Sequence, residues 1–488
     1  MDKRLENPHF HRGEVCTVRV KLTKEDVIWS YVGTFVTMGA NVIMLPFLMY
    51  FLDADALGLW YVFTSFGAVA TLFDFGFSVT FARNITYCWS GAKRLQKEDV
   101  EFAENTEPDF HMMKQVLSSC KVIYGIISTS AFLILISAGT AYIIYVSREI
   151  EGNVRVISWV IYCFGIFLNL YYGYFNSFLR GVGAVDKANK NAVISKFVQI
   201  VLTIILLVLK TGILGPCIAY LAYGTVFRQL GKRDFYRHEN IKEKLETIKE
   251  KVNRNQLVHM LKIVWHNAWR DGIISFSNYF CNQASTVICS MYLPLSETGV
   301  YSIGVQIASA VSQVSGTLYN AYQPELQSSY VSGNRSKVRD TMAIIITSFT
   351  YIFVLSFIFV CVMGLPILRL VKPESVVSLP VLFGLSTYQF MLKFRNCYTS
   401  YFSCTNRIIY MKGFVVSAVL CVTLSFIAIG WLGLGVWGLI GAQIISQAVY
   451  NIWKWPTLAN AELNLNIRTT FMIGNRKIKT MISRLFQK

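Results

Sequence analysis

Gln389–Phe402 reads QFMLKFRNCYTSYF. The stretch lies in a run from Val376 to Phe402 with the length and apolarity of a membrane span, yet it carries Lys393 and Arg395. Each cation costs about 2.5–3.5 kcal/mol at the centre of a spanning helix on insertion scales. At about 100° per residue the two point to nearly opposite sides of one helix, so they have separate roles. Lys393 continues a polar stripe with Gln389, Asn396 and Ser400 and is assigned to a hydrated cavity, with snorkelling to the inner membrane surface as its alternative. Arg395 falls beside Tyr388, Met391 and Phe402, where it either snorkels or pins a neighbouring helix.

The rest of the chain repeats this membrane character. Of 488 residues 54% are hydrophobic and 15% charged, against about 25% charged in a soluble domain. Windows of about 20 apolar residues give about twelve spans. Six lie between Val27 and Phe227 and six between Ile263 and Trp453. The expected fold is therefore all-α and polytopic, with about twelve transmembrane helices in two six-helix lobes around a central cavity. The segments are an N-terminal stretch (1–26), an N-lobe (27–231), a connector (232–262), a C-lobe (263–456) and a basic tail (457–488). In the connector, Ile241, Leu245, Ile248 and Val252 recur at helical spacing opposite Lys and Glu, which predicts an amphipathic helix on the inner membrane surface.

The net charge of +18 is distributed in step with the spans. Most Lys and Arg fall in the N-terminus, alternate loops and the C-terminus, so both termini are expected to be cytoplasmic. A nucleic-acid surface would gather those cations on one soluble face with interleaved aromatics, and that pattern is lacking. The first span is long and lacks an A-x-A-like site, so it is expected to stay in the protein. The eleven cysteines form no C-x-x-C pair and the six histidines lack ligand spacing, so neither a metal site nor a cofactor is expected.

Two features suggest that the halves are equivalent. ALGLWYVF (Ala56–Phe63) and ETGVYSIG (Glu297–Gly304) echo each other around the first outer turn of each half. Polar residues also gather at helical spacing in matching spans: Ser30, Thr34, Thr37 and Asn41 in the first and Thr71, Asp74 and Ser78 in the second. Asn169, Gly173, Asn176 and Arg180 follow in the fourth, then Asp271, Ser275, Asn278, Asn282 and Ser285 in the seventh. The eighth carries Gln306, Ser309, Gln313, Gly316, Asn320 and Gln323, and the tenth the stripe of Lys393. By contrast FLILISAGTAYIIYV, IVLTIILLVL and YIFVLSFIFVCV are apolar nearly all round and suit a lipid-facing shell. Polar stripes in hydrocarbon must face protein or water. Such groups either hydrogen-bond between packed helices, at about 0.6 kcal/mol a pair, or line a cavity, the reading adopted for six matching stripes. The cavity candidates are Asn41, Lys196, Arg270, Asn278, Asn282, Gln306, Gln313, Asn320, Gln389 and Lys393. Asp74, Asp271 and Arg83 are candidates for an ion pair or a coupling site. Asp74 is a partner for Arg270 or a site for a proton or sodium; adjacent Arg270 and Asp271 diverge on their helix. A cation-weighted cavity suits an anionic cargo, because a phosphate takes several charge-assisted bonds from Lys or Arg.

LGLWYVFTSFGAVATLFDFGFSVTFAR (Leu57–Arg83), AYQPELQSSYVSGNRSKV (Ala321–Val338) and GLGVWGLIGAQIISQ (Gly433–Gln447) together resemble the Wzx-type lipid-linked oligosaccharide flippases of the multidrug/oligosaccharidyl-lipid/polysaccharide (MOP) exporter superfamily. The likeness covers nearly the whole chain, although the motifs are degenerate and only Asp74, Gly76 and Arg83 map onto a recurring family pattern. It implies a two-lobed transporter in a bacterial inner membrane that moves an undecaprenyl-diphosphate-linked oligosaccharide to the periplasmic leaflet by alternating access. Its implied partners are the lipid-linked anionic glycan, the bilayer and a polysaccharide polymerase machinery. A drug or cation antiporter of the same superfamily is the alternative and would present acidic groups to its cargo. A membrane-embedded glycan polymerase or ligase would need a sizeable outer loop with acid or base groups, where this chain has connectors such as DADA (Asp53–Ala56) and PLSE (Pro294–Glu297). No catalytic residue is assigned.

Overall fold

The structure is a computed structural model that describes residues 20–92, 94–95, 100–101, 107–147, 153–248, 253–293, 295–371 and 377–486. It is all-α, and two two-residue strands, Arg94–Leu95 and Val100–Glu101, are the extended elements among the described residues. The chain divides into two compact units, with the boundary between Gly272 and Ile273. Of the described residues, the first lobe comprises those within Lys21–Leu95 and Glu107–Gly272, and the second those within Ile273–Lys488 together with Val20, Val100 and Glu101.

In the first lobe α1 is Lys24–Phe51, and α2 (Ala54–Thr71) meets α3 (Phe77–Trp89) through a 3₁₀ turn at Leu72–Asp74. A π-turn at Leu135–Gly139 joins α4 (Phe110–Ile134) to α5 (Thr140–Val146). There follow α6 (Val154–Tyr172), α7 (Tyr174–Gly181), α8 (Val185–Val208), α9 (Leu214–Arg237) and the short α10 (Ile241–Thr247). The boundary falls inside α11 (Arg254–Tyr292). The second lobe continues with α12 (Leu295–Val331), then α13 (Arg335–Phe359) and α14 (Leu365–Val371) around a second π-turn. After these come α15 (Leu379–Cys404), α16 (Met411–Phe426), α17 (Gly435–Ala448), α18 (Asn451–Leu463) and α19 (Ile467–Phe486).

Local chemistry sets the helix starts. Thr23 and Asp26 form a reciprocal capping box on α1, with Asp26 N–H donating to Thr23 Oγ1 at 3.2 Å and Thr23 N–H donating to Asp26 Oδ2 at 2.8 Å. Asp109 and Asn334 accept N–H bonds at the starts of α4 and α13. Five helices end in one geometry. After α3, α7, α8, α12 and α15 the second residue beyond the helix is left-handed (Gly91, Gly183, Lys210, Gly333, Asn406). The next N–H then returns five residues, as Ala92 to Tyr87, Ala184 to Leu179, Thr211 to Leu206, Asn334 to Ser329 and Arg407 to Phe402. These Schellman-type closures satisfy carbonyls that a helix end leaves open. Three fall in the first lobe and two in the second.

Five helical stretches among the described residues are long and apolar enough to cross a membrane: Phe110–Ile144, Val154–Gly181, Val185–Val208, Arg335–Arg369 and Met411–Trp431. Large apolar side chains are exposed on them, as with Phe197 and Ile205 on α8 or Leu355 and Ile358 on α13. The cores lie on the inner sides. In the first lobe Trp60, Phe63, Trp159 and Tyr162 pack with Met44, Ile166 and Cys217; in the second Ile288, Tyr301, Leu385, Leu439 and Ile440 do the same.

Two expected surface segments are part of the packed protein. The connector helix stops at Thr247, so Ile248 follows it and Val252 lies outside the described residues. Ile241 and Leu245 are buried in the protein's own interior instead of facing a membrane surface. In the expected tail α19 runs to Phe486, and Gly474 crosses α13 so closely that an added Cβ would meet the Ala343 carbonyl at 2.9 Å. Lys477 pairs there with Asp340 at 2.6 Å. Residues 1–19 lie outside the described residues.

Candidate functional site

In the first lobe the second membrane rod is broken in its middle. Phe75 (φ 47°) and Gly76 (φ 73°) are both left-handed, which ends the 3₁₀ turn and restarts the chain as α3. The break sits against α11, where a Cβ on Gly76 would lie 2.8 Å from the Asp271 carbonyl carbon and 2.9 Å from Gly272 N, and a Cβ on Gly272 would lie 2.9 Å from the Phe75 carbonyl oxygen. Glycine on both sides lets the two backbones approach this closely. Asp74 caps the restart: its Oδ2 accepts from Ser78 Oγ at 2.7 Å and Ser78 N at 3.3 Å, while Tyr124 on α4 donates to its Oδ1 at 2.5 Å. One turn on, fully buried Arg83 reaches Asp271 Oδ2 at 3.2 Å, and Thr80 Oγ1 donates to the same oxygen at 2.9 Å. Of the ion-pair candidates, Arg83 and Asp271 thus form the pair, and Asp74 is held by hydroxyls.

Lys196 donates to Gln199 Oε1 at 3.0 Å and lies 4.6 Å from the Tyr223 ring centroid. From the α1 stripe Ser30 enters a relay in which Arg180 donates to Asn189 Oδ1 at 3.2 Å, Asn189 Nδ2 to Ser30 Oγ at 2.9 Å, and Ser30 Oγ to the Asp26 carbonyl at 2.6 Å. Asn41 lies within α1. Arg270 is half-buried, its guanidinium 5.8 Å from the Trp269 ring.

In the second lobe the two cations that open the sequence take separate places. Arg395 is fully buried, donating from Nη1 to Gln447 Oε1 at 2.5 Å and from Nη2 to Asn278 Oδ1 at 2.6 Å, over the Phe414 ring at 3.8 Å. It therefore pins α11, α16 and α17, and the snorkelling alternative is overturned, because both Nη atoms donate to amide oxygens inside the lobe. Gln447 is fixed by Asn451, whose Nδ2 donates to it at 3.2 Å and to Ser417 Oγ at 2.6 Å. Lys393 is half-buried; its stem lies over Gly316 and its ammonium 5.9 Å from the Tyr319 ring. Gln389 is buried and donates to Asn282 Oδ1 at 3.2 Å, and Asn282 donates to the Asn278 carbonyl at 2.7 Å. Asn278, Asn282 and Gln389 thus join α11 to α15.

On α12 the pattern inverts. Among the residues of this helix whose side chains are described, the exposed ones are Glu297, Gln306, Gln313 and Asn320, all polar. Gln306, Gln313 and Asn320 recur every seven residues and so share one face over about 21 Å, a length comparable to the hydrocarbon core of about 30 Å. An amide face of that length fits water and hydroxyl-rich ligands.

Tyr124, Thr80, Tyr319, Gln447 and Asn451 were not reached from the sequence. Gln443, Gln447 and Asn451 do recur every four residues in the twelfth span, the signal used for the other stripes. Among the described residues no group of three or more His, Cys, Asp or Glu is placed to hold a metal.

A two-lobed, all-α bundle with polar faces inside apolar rods is the architecture of a membrane transporter. The solved structures that share it are MOP-superfamily transporters. An outward-facing multidrug-resistance MATE family transporter superposes with TM-score 0.66 and 16% identity over 91% of this chain and 99% of its own. A MATE in complex with MaD3S gives 0.67 and 15% over 92% and 99%. A Pyrococcus furiosus MOP transporter, whose binding pocket is described as having reversed polarity that suggests a different function, gives 0.66 and 13% over 92% and 99%. At these identities the likeness establishes the fold. No protein-family profile matches the chain, and no curated relative does.

Proposed function

We propose that the protein is a transporter of the MOP superfamily that moves a lipid-linked anionic oligosaccharide from the cytoplasmic to the periplasmic leaflet of a bacterial inner membrane. The amide-only exposed face of α12 carries this reading, since a helix exposed to lipid along that length would present apolar side chains as α8 and α13 do. The charge of the second lobe supports an anionic cargo. Arg395 is bound by neutral amides and Lys393 lies against an aromatic ring, so neither contact cancels a positive charge. In this reading the amides of Gln306, Gln313 and Asn320 take the place of water around the sugars, and Lys393 attracts the diphosphate. Export of an anionic head group is favoured by an inside-negative potential at about 2.3 kcal/mol per charge per 100 mV. Alternating access, cytoplasmic termini and service to a polysaccharide polymerase belong to the same proposal.

A cation-coupled drug antiporter is the second reading. The carboxylate of Asp74 at a helix break, with Tyr124 and Ser78 around it, is the observation that favours it. Deleting the gene distinguishes the two: lipid-linked glycan accumulating in the inner leaflet with surface polymer lost supports the flippase, whereas unchanged polymer with raised drug sensitivity supports the antiporter. Complementation by Lys393→Gln or Gln313→Leu should restore normal protein levels and fail to restore export. Full export by both variants would remove the α12 and α15 face from the route.

A further inference from the structure

A cavity of about 750 Å³ opens on the first lobe where α4, α9 and α10 meet, away from the helix break. Its walls carry five cations, Lys114, Lys121, Lys232, Arg233 and Lys242. Against them stand two carboxylates. Glu246 lies 3.9 Å from Lys242 with both side chains about two-thirds exposed, and Asp234 accepts from Arg233 Nε at 3.2 Å, which leaves the outer edge of the guanidinium to face a ligand. Lys114 has a structural duty as well: its Nζ donates at 2.5 Å to the carbonyl of Ile248, where α10 has just ended, and so holds that helix as one wall.

The depth of the cations is what identifies the ligand class. Lys114 and Lys121 are seven residues apart, hence on one face of α4 and about 10 Å from each other along it. Lys121 is exposed, lies within the apolar stretch Phe110–Ile144 and is followed on the same helix by exposed Val122 and Ile126. Lys232, Arg233 and Lys242 are exposed near the ends of their helices, where the chain turns polar. A soluble anion would have no use for an ammonium set beside hydrocarbon-compatible side chains. A lipid phosphate would, because its head group meets the shallower cations while its chains leave along the apolar face. A bound phosphate would also offset the exposed charge of Lys121 in a stretch that otherwise suits the bilayer.

We propose that this basin binds the phosphate-bearing head group of a membrane lipid, with the hydrocarbon chains running beside Val122 and Ile126. The described walls of the basin all belong to the first lobe, and the α12 face belongs to the second. Two lipids share the required chemistry, an anionic glycerophospholipid and a polyprenyl diphosphate.

The test uses the full chain in phosphatidylcholine nanodiscs, to which phosphatidylglycerol, cardiolipin or undecaprenyl diphosphate is added, with retained lipid read by native mass spectrometry. The wild type should retain an anionic lipid in preference to phosphatidylcholine, and the Lys121→Gln/Lys232→Gln variant should lose that retention at least tenfold. Both positions are exposed, so the thermal transition of the variant should stay that of the wild type. Lys121→Arg/Lys232→Arg should keep the retention, and so should Lys412→Gln, which removes an exposed charge from the second lobe. Preference for the phospholipids or for the prenyl diphosphate identifies the source, and either supports the site. Equal retention by wild type and the double Gln variant, or full displacement of lipid by millimolar inorganic pyrophosphate, would overturn it. Transport is not read, so this outcome is separate from that of the flippase assay.

Discussion

Gly76→Ala probes the crossing that holds the broken rod against α11. Two costs add. A non-glycine residue at φ 73° pays about 1–2 kcal/mol for the left-handed conformation. The new methyl would also lie 2.7 Å from Asp271 Cβ, 2.8 Å from the Asp271 carbonyl carbon and 2.9 Å from Gly272 N. Two of those atoms are backbone and cannot swing away, so the helices must part, an overpacking cost of about 1–3 kcal/mol. The expected loss is about 2–5 kcal/mol. Gly212 supplies the control in the same lobe: it has φ 58° and nothing within 4 Å of an added Cβ, so Gly212→Ala should pay only the conformational cost of about 1–2 kcal/mol. Both variants are compared with wild type by unfolding in a graded dodecyl sulfate titration, followed by tryptophan fluorescence. Trp265, tilted against Phe77 at 5.9 Å, is one of the ten tryptophans that contribute to the signal. If Gly76→Ala is no more destabilising than Gly212→Ala, the close approach of the two backbones is wrong.

Two further outcomes follow from buried polar contacts. Arg83→Gln and Asp271→Asn should each destabilise the first lobe by about 3–5 kcal/mol, because each leaves one buried charge uncompensated. The double variant should cost clearly less than their sum in the same titration, and strict additivity would mean that the pair does not interact. Arg395→Lys should fail to preserve stability despite keeping the charge, with a loss of about 2–4 kcal/mol, since one ammonium cannot span Asn278 and Gln447 as a guanidinium does. A wild-type transition for that variant would show that the fork is dispensable.

The class of fold was open to reading because bilayer physics leaves a plain mark. Long apolar runs, alternating basic loops and the polar periodicity within spans each report local chemistry, and the structure returns an all-α, two-lobed chain. The contents of the polar stripes were harder to assign. Helical spacing shows that Gln306, Gln313 and Asn320 share a face with one another, and equally that Asn278 and Asn282 do, but not whether that face meets open space or another helix. The first set is exposed and the second is consumed by Arg395 and Gln389. The choice depends on residues more than a hundred positions away, such as Gln447, which no periodicity within α11 can name. Arg83 and Asp271 illustrate the same limit, being 188 residues apart and joined only after the chain has folded. Amphipathicity misled in the connector for a related reason. Ile241 and Leu245 do form an apolar face, but protein covers it before a membrane can.

The Schellman-type turns bear on how such a chain distributes constraint and function. Each lobe closes its second and fourth rods with one left-handed residue and the same five-residue return, although the local sequences share little: SGA, VGA, SGN and TNR. Turn geometry needs only one residue in the left-handed conformation, so it survives wide sequence change. The polar interiors obey no such economy. In the first lobe a buried guanidinium meets a carboxylate, and that pair is close to neutral. In the second, a buried guanidinium meets only amide oxygens among its described bonds, so the charge persists where the local dielectric is low and its field is long-ranged. Arg180 and Lys196 of the first lobe likewise meet amide oxygens, of Asn189 and Gln199, so each lobe keeps cations whose described contacts leave their charge uncancelled.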